Sequence, residues 1–329
     1  MQLSTKKRLI LLSGEANRPL AEEIADHLGM KLGVVETATF ANSENYTRIA
    51  ESVRGWDAFV IQSISDPVDH FIMQQLIMID ALKRASAKRI TAVCPLYPYA
   101  RQDRKARGRE PITAKLMADM YEAAGADRMI SVDLHSGQIK GFFDVPFDHL
   151  TAMPVLAHHF TPLLEGDFVI VSPDAGGVRL ADKWVQHLSN HHGLHGQVAF
   201  LHKRRSKDVR NESETKAVVG DVAGKICVIV DDMIDTAGTL VHGSDLLIGA
   251  GATKVYAEAT HGILSGPAID RIKNSRIEQV AVTNTLPLGP DKEIENIAVL
   301  SIAPLIADTI QAVFAEGSVS TLFDGKNEP

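Results

Sequence analysis

Two cysteines in 329 residues are too few for a disulfide framework or a cysteine-based zinc site, and aromatic residues make up only 5% of the chain. Cys94 and Cys227 both fall in apolar, strand-like runs, where a lone thiol behaves as a small hydrophobe, so structural roles are expected. No apolar run approaches the roughly 20 residues of a membrane span. The opening Met-Gln-Leu-Ser-Thr-Lys-Lys-Arg leads directly into the apolar run Leu9–Leu12 without the pattern of a signal peptide. A cytoplasmic location away from membranes is expected. Basic residues are not in surplus either: the formal charge of −7 at pH 7 argues against generic nucleic-acid binding, which draws on phosphate neutralisation. Any anion must bind at local basic loops. Two nucleotide signatures are missing as well. No Gly-x-x-x-x-Gly-Lys-Ser/Thr loop occurs, and Gly249-Ala-Gly251 lacks a third glycine and follows a helical pattern, which excludes a Walker-type ATPase and a dinucleotide dehydrogenase.

What is present is ordinary globular composition, 45% hydrophobic and 23% charged, in a chain long enough for two domains. Strand-like and helix-like segments alternate, the signature of a parallel sheet with helices on both faces. An internal echo suggests that one unit is used twice. Val53-Arg-Gly-Trp-Asp-Ala-Phe-Val-Ile-Gln-Ser63 aligns with Val222-Ala-Gly-Lys-Ile-Cys-Val-Ile-Val-Asp-Asp232. Ala85-Ser-Ala-Lys-Arg-Ile90 aligns further on with Ala250-Gly-Ala-Thr-Lys-Val255. The expectation is an α/β protein with domains at 1–150 and 151–304. Ser301 to Phe314 reads as a helix, a C-terminal helix at about 305–320 packs back on the first domain, and Thr321 to Pro329 reads as a frayed end.

The segment Lys225 to Thr239 is the most informative. Ile226 to Val230 is a continuous β-branched run suited to a strand covered on both faces. Thr236, Ala237, Gly238 and Thr239 then leave N–H groups and hydroxyls at a helix N-terminus, a place for a sugar phosphate. Asp231 and Asp232 would repel that phosphate, and so are assigned to the sugar hydroxyls. The competing reading is a plain strand-to-helix turn with Asp235 as N-cap, but capping needs one acid and three are present.

Asp133 and His135 are two apart on an apparent strand, which would turn both side chains to one side at its carboxyl end. They could hold a metal or its water shell, and Mg²⁺ is the cation expected beside phosphates; a pair bonded to backbone is the alternative. Asp174-Ala-Gly-Gly-Val-Arg179 follows the strand Phe168 to Val171; its paired glycines suit an anion-binding nest or a tight turn. The loop Tyr97 to Arg109, with Arg101 and Gln102, could stack on a base and meet a triphosphate; Lys203 to Arg210 is a second basic loop. Both also read as solvated charge runs. His191, His192 and His195 are read as exposed loop, because Gly193 breaks the helix.

Lys225 to Thr239 matches the phosphoribosyl-pyrophosphate motif of the type I phosphoribosyltransferase fold. With Ser13-Gly-Glu-Ala-Asn-Arg18, Phe40-Ala-Asn-Ser-Glu44, Tyr99-Ala-Arg-Gln-Asp-Arg-Lys105, Asp133-Leu-His135, Gln138 to Asp144 and Ser318-Val-Ser320, the chain resembles the ribose-phosphate pyrophosphokinases nearly end to end. The resemblance implies two tandem phosphoribosyltransferase-like domains and transfer of the β,γ-diphosphoryl group of ATP to ribose 5-phosphate, with Mg²⁺ as cofactor. Arg101 and Gln102 would hold ATP, with Phe40, Asn42, Ser43 and Glu44 from a neighbouring subunit. His135 and Asp174 would position Mg-ATP. Asp231 and Asp232 would meet the ribose, and Asp235, Thr236, Ala237, Gly238 and Thr239 the 5-phosphate. Lys203 and Arg205 match a mobile-loop pair that closes on the transferring group. Ser52, Arg54, Gln138, Ser318 and Ser320 match a regulatory site for inorganic phosphate and ADP. Leu180 and Asp182 stand where the family usually has basic residues, which bears on that regulation. A homo-oligomer, in the family a hexamer, is implied. The competing assignments are a phosphoribosyltransferase, which needs only one such domain, a non-catalytic subunit of a synthetase complex, and, last, a nucleic-acid-binding module.

Overall fold

Strand and helix alternate through residues 7–204 and 215–323, which are the residues that the structure, a computed structural model, describes. The chain divides into two units, Met1–Thr151 with Thr285–Pro287 and Ser301–Pro329, and Ala152–Asn284 with Leu288–Leu300.

In the first unit the elements run β1 (Leu9–Ser13), α1 (Arg18–His27), β2 (Val35–Thr39), β3 (Asn45–Ile49), β4 (Asp57–Ile61), α2 (Val68–Arg84), β5 (Arg89–Val93), α3 (Thr113–Ala124), β6 (Arg128–Val132) and β7 (Phe147–Leu150). Five strands form a parallel sheet in the order β1-β4-β5-β6-β7. Its inner strands are apolar without alternation because helices cover both faces: all five residues of Asp57–Ile61 are buried. β2 and β3 form a separate antiparallel hairpin beside α2.

The second unit contains α4 (Met153–Phe160), β8 (Phe168–Ser172), α5 (Val178–His192), β9 (Gln197–Arg204), β10 (Thr215–Val219), β11 (Ile226–Ile234), α6 (Gly238–Gly249), β12 (Lys254–Gly262), α7 (Ala268–Lys273), β13 (Gln279–Thr283) and β14 (Ile297–Leu300). Its sheet has the order β10-β9-β8-β11-β12-β13-β14, parallel except for the β9–β10 pair. Gly243 lets α6 lie directly on this sheet, since a Cβ there would fall 2.7 Å from Cδ1 of Leu201 on β9.

The last helix, α8 (Ala303–Phe314), returns to the first unit and packs on α1. Ile306, Ala307, Ile310 and Val313 make its buried stripe at helical spacing. Ser301 lies just before it and accepts the Ala303 N–H on its hydroxyl at 3.1 Å, so the helix begins two residues later than its apolar run.

The internal echo is a repeat of backbone geometry. Gly55 and Gly224 have φ of 75° and 73°. The Gly55 N–H donates to Ser86 O at 2.9 Å and the Gly224 N–H to Gly251 O at 2.8 Å. The next rung repeats too, Lys88 N–H to Trp56 O and Thr253 N–H to Lys225 O. β4 and β11 are thus the same strand of the repeated unit.

Candidate active site

In the second unit the chemistry gathers at the carboxyl ends of three adjacent parallel strands, β9, β8 and β11, where ligands bind in sheets of this kind. β11 is longer than its apolar run and ends at Ile234, so Asp231 and Asp232 are still on the strand and not in the turn after it. The Asp232 N–H donates to Asp231 Oδ1 at 2.9 Å. Burial, and next the negative charge of Asp232 with a smaller part from Asp174, push the Asp231 carboxyl up to about 8.

The turn into α6 is fixed from outside. Arg271 on α7 donates from Nη1 to the Thr236 carbonyl at 2.8 Å, and the Leu264 and Ser265 N–H groups donate to the carbonyls of Ile234 and Asp235. Asp235 is not the N-cap. That place is held by Ala237, in the left-handed region at φ 56°, with no side-chain cap. Gly238 and Thr239 then open the helix, and N–H groups of a first turn have no intrahelical acceptor and face an anion with the helix dipole behind them.

After β8 the Asp174 loop folds on itself. Asp174 Oδ1 accepts the N–H of Gly176 at 2.7 Å and of Gly177 at 3.1 Å, so the glycine nest expected for an external anion is filled by the loop's own carboxylate. Gly177 is required by closeness and not by positive φ: a Cβ there would lie 2.6 Å from Ser172 Oγ, which donates to Asp174 O. Lys203 stands near the end of β9, paired in register with Lys216 of β10. Arg205 and the rest of the basic loop through Arg210 lie outside the described residues.

The first unit uses the same sheet edge. Arg101 and Gln102 follow β5, and Asp133 and His135 follow β6, its neighbour. β6 ends at Val132 and Asp133 turns out of the strand at φ 35°, so strand alternation does not relate Asp133 to His135 as the spacing suggested. The loop is pinned instead. The N–H groups of Val132, Asp133 and Leu134 donate in turn to Pro95 O, Leu150 O and His149 Nε2. Gln102 is also held: its carbonyl accepts the Ala114 N–H and its Oε1 accepts the Thr113 hydroxyl at 2.6 Å. Tyr97 is not available to stack on a base, because it is buried among Phe143 and Phe147 with its hydroxyl on Ala114 O. Phe40, Asn42, Ser43 and Glu44 form the exposed tip of the β2–β3 hairpin, closed by the Phe40 N–H on Glu44 O and the Ser43 N–H on Phe40 O.

The regulatory candidates fall at both edges of the first unit's sheet within one chain. Gln138 lies at the carboxyl edge of the first unit's sheet, donating to Asp103 Oδ2 at 2.6 Å. Ser52 and Arg54 precede β4, at the opposite edge. Ser318 and Ser320 bond to each other at 2.8 Å, just after Glu316, which pairs with Lys7 ahead of β1. His191 and His192 are on the last turn of α5, not in a loop, and His191 stacks on His187 at 4.5 Å; Gly193 caps the helix at φ 67°. Among the described residues no group of three or more His, Cys, Asp or Glu side chains has metal-holding geometry. Likewise, none of their helices is long and apolar enough to cross a membrane. Both cysteines are buried. A cleft of about 520 Å³ lined by Glu165, Asp167, Lys254 and Tyr256 lies at the amino ends of β8, β11 and β12, the edge opposite Asp231 and Asp232. Arg271 and His149 were invisible to sequence reasoning, since neither is part of a local motif.

Parallel sheets with an acidic strand end that opens into a small-residue helix mouth define an α/β enzyme of the phosphoribosyltransferase fold. Residues 9–125 match the N-terminal domain of ribose phosphate pyrophosphokinase, and residues 202–324 match the phosphoribosyl synthetase-associated domain. The ribose-phosphate pyrophosphokinases of Streptomyces coelicolor and Mycobacterium tuberculosis are each 52% identical to the chain, covering 97% of it and 97% of their own lengths. The crystal structure of phosphoribosylpyrophosphate synthetase from Mycobacterium smegmatis is 50% identical, superposes with a TM-score of 0.87, and matches 94% of this chain and 100% of its own. The chain belongs to the ribose-phosphate pyrophosphokinase family and is an enzyme of the transferase class.

Proposed function

We propose that the chain makes phosphoribosyl pyrophosphate by moving the β,γ-diphosphoryl group of ATP to the C1 hydroxyl of ribose 5-phosphate, releasing AMP. The observation that carries this reading is the end of β11, where Asp231 and Asp232 precede a helix mouth at Gly238. Carboxylates accept from ribose hydroxyls and the helix mouth takes the 5-phosphate through Asp235, Thr236, Ala237, Gly238 and Thr239. The two units are taken as tandem phosphoribosyltransferase-like domains. The first binds ATP through Arg101, Gln102 and His135, with Phe40, Asn42, Ser43 and Glu44 supplied by a second copy in a homo-oligomer, a hexamer by family analogy. The second binds the sugar phosphate.

In the reaction the C1 oxygen bonds to the β-phosphorus, the bond from that phosphorus to the α–β bridging oxygen breaks, and the hydroxyl proton is released. Charge moves onto the departing AMP oxygen, so positioned cations matter more than covalent chemistry. Lys203 and Arg205 have that role. Asp174 and Asp232, both close enough to raise the Asp231 carboxyl, make with it a hard-oxygen donor set that suits Mg²⁺. With no three-ligand cluster among the described residues, the ion would be held by one or two carboxylates together with phosphate oxygens and water. Bound there, Mg²⁺ supplies charge neutralisation on the transferring phosphoryl oxygens. Ser52, Arg54, Gln138, Ser318 and Ser320 remain the proposed positions for phosphate and ADP effectors. The enzyme works in the cytoplasm, without nucleic acid or membrane as partner.

The test is product analysis with ATP, ribose 5-phosphate and Mg²⁺, with and without inorganic phosphate. AMP and phosphoribosyl pyrophosphate are expected. ADP as the nucleotide product, or no turnover in either condition, would overturn the reading.

A further inference from the structure

A side chain from outside its own strand helps to hold the loop bearing Asp133 and His135. Val132 and Asp133 give their N–H groups to the backbone carbonyls of Pro95 and Leu150. At Asp133, with φ 35°, the chain leaves the extended conformation, and the next N–H meets a side chain instead of a backbone carbonyl. There the acceptor is Nε2 of His149, 3.1 Å from the Leu134 nitrogen. His149 is 3% exposed and Leu134 is 6% exposed, so water cannot readily replace either partner. A non-glycine residue at positive φ persists only where its surroundings over-determine it. The Leu134 N–H lies directly between Asp133 and His135, and its bond fixes the backbone from which His135 projects.

We propose that His149 is a positioning residue for nucleotide binding: as a hydrogen-bond acceptor at Nε2 it locks the Leu134 amide and thereby presents His135 to the Mg-ATP phosphates. This rests on the reading of His135 as a nucleotide-side residue given above. An acceptor at Nε2 requires that the ring proton sit on Nδ1 in the neutral imidazole. A side chain of similar size without an acceptor would fill the space and leave a buried N–H unpaired. Glutamine can bring an oxygen to about the same reach, whereas asparagine falls short of it.

The experiment compares the full-length enzyme with His149→Leu, His149→Gln, His149→Asn and His135→Ala. It uses hydrogen exchange by mass spectrometry on the peptide spanning 131–137 without ligands, and calorimetric binding of Mg-ATP. In His149→Leu and His149→Asn the Leu134 amide should exchange about tenfold faster or more, and Mg-ATP should bind about tenfold more weakly; His149→Gln should restore both. Where His149→Leu does not fold, the contrast between Gln and Asn carries the test. Unchanged exchange in His149→Asn would overturn the proposal, and so would faster exchange with unaltered Mg-ATP affinity. In the second case His135→Ala separates the causes. If it also binds Mg-ATP normally, the nucleotide-side reading of this loop is at fault; if it binds weakly, only the positioning role of His149 fails.

Discussion

Gly55 and Gly224 occupy the same left-handed turn in the two halves of the chain, at φ 75° and 73°, each donating its N–H across to the turn that precedes the neighbouring strand. The repeat is therefore kept in backbone geometry where the side chains have diverged. Gln62 in the first half, buried and bonded to Gln74, stands where the second half has Asp231. One copy of the strand end is spent on packing and the other on an acid.

A Cβ added to either glycine would meet nothing within 4 Å, so replacement costs backbone strain alone. Gly55→Ala and Gly224→Ala are each expected to lose about 1–2 kcal/mol in urea denaturation, by similar amounts. A much larger loss in one of them would mean that the two turns are not equivalent.

The raised Asp231 carboxyl fixes a sign for the pH dependence of the ligand-free protein. Its ordinary value is 3.8 and the fold pushes it up to about 8. Between those values the unfolded chain ionises while the native state resists, so this residue lowers stability as pH rises. Asp231→Asn should match the parent near pH 4 and melt progressively higher than it up to about pH 8. Thermal scans across that range check it. A gap that shrinks with rising pH would contradict the assignment.

Burial pushes the Cys227 thiol up to about 12 and the Cys94 thiol higher still. The thiolate is the reactive form, so neither cysteine should react with a disulfide reagent at pH 8 in the native protein, and both should react in denaturant. A native thiol titrating rapidly would place one of them in an accessible pocket.

Lys203→Ala should lower turnover by about a thousandfold or more with a much smaller change in substrate affinity, as for other charges aimed at a transition state. Steady-state kinetics with ATP and ribose 5-phosphate resolve the two parameters. Unchanged kcat would remove Lys203 from the chemistry.

Arg271 holds the Thr236 carbonyl from outside the proposed phosphate loop. Arg271→Ala should raise KM for ribose 5-phosphate about tenfold and leave kcat nearly unchanged, because the loop is loosened and not removed. A loss confined to kcat would mean that the arginine acts on the reacting groups.

The central strands were readable in the sequence because parallel strands covered on both faces are continuous apolar runs, as at residues 58–61 and 226–230. The β2–β3 hairpin was not, since Glu36, Thr37 and Arg48 alternate on an exposed ribbon and resemble loop composition. The helix mouth at Gly238 was legible from its small residues, but the left-handed Ala237 was not: only tertiary bonds such as Arg271 to Thr236 hold an alanine there. Asp133 looked like a strand residue because two-residue spacing is all that a sequence reveals of it. Its turn out of β6 depends on Leu150 and His149, which are distant in the chain.

Gly243 touches no proposed ligand and carries no reactive group, yet a Cβ there would fall 2.7 Å from Cδ1 of Leu201, so α6 and β9 would have to adjust to any side chain. Leu201 is on β9, two positions before Lys203, and α6 begins at the proposed phosphate mouth. The spacing between the proposed anion grip and the proposed catalytic cation thus depends on a contact made without a side chain, and selection on reaction geometry would act on a position that every inventory of chemical function passes over.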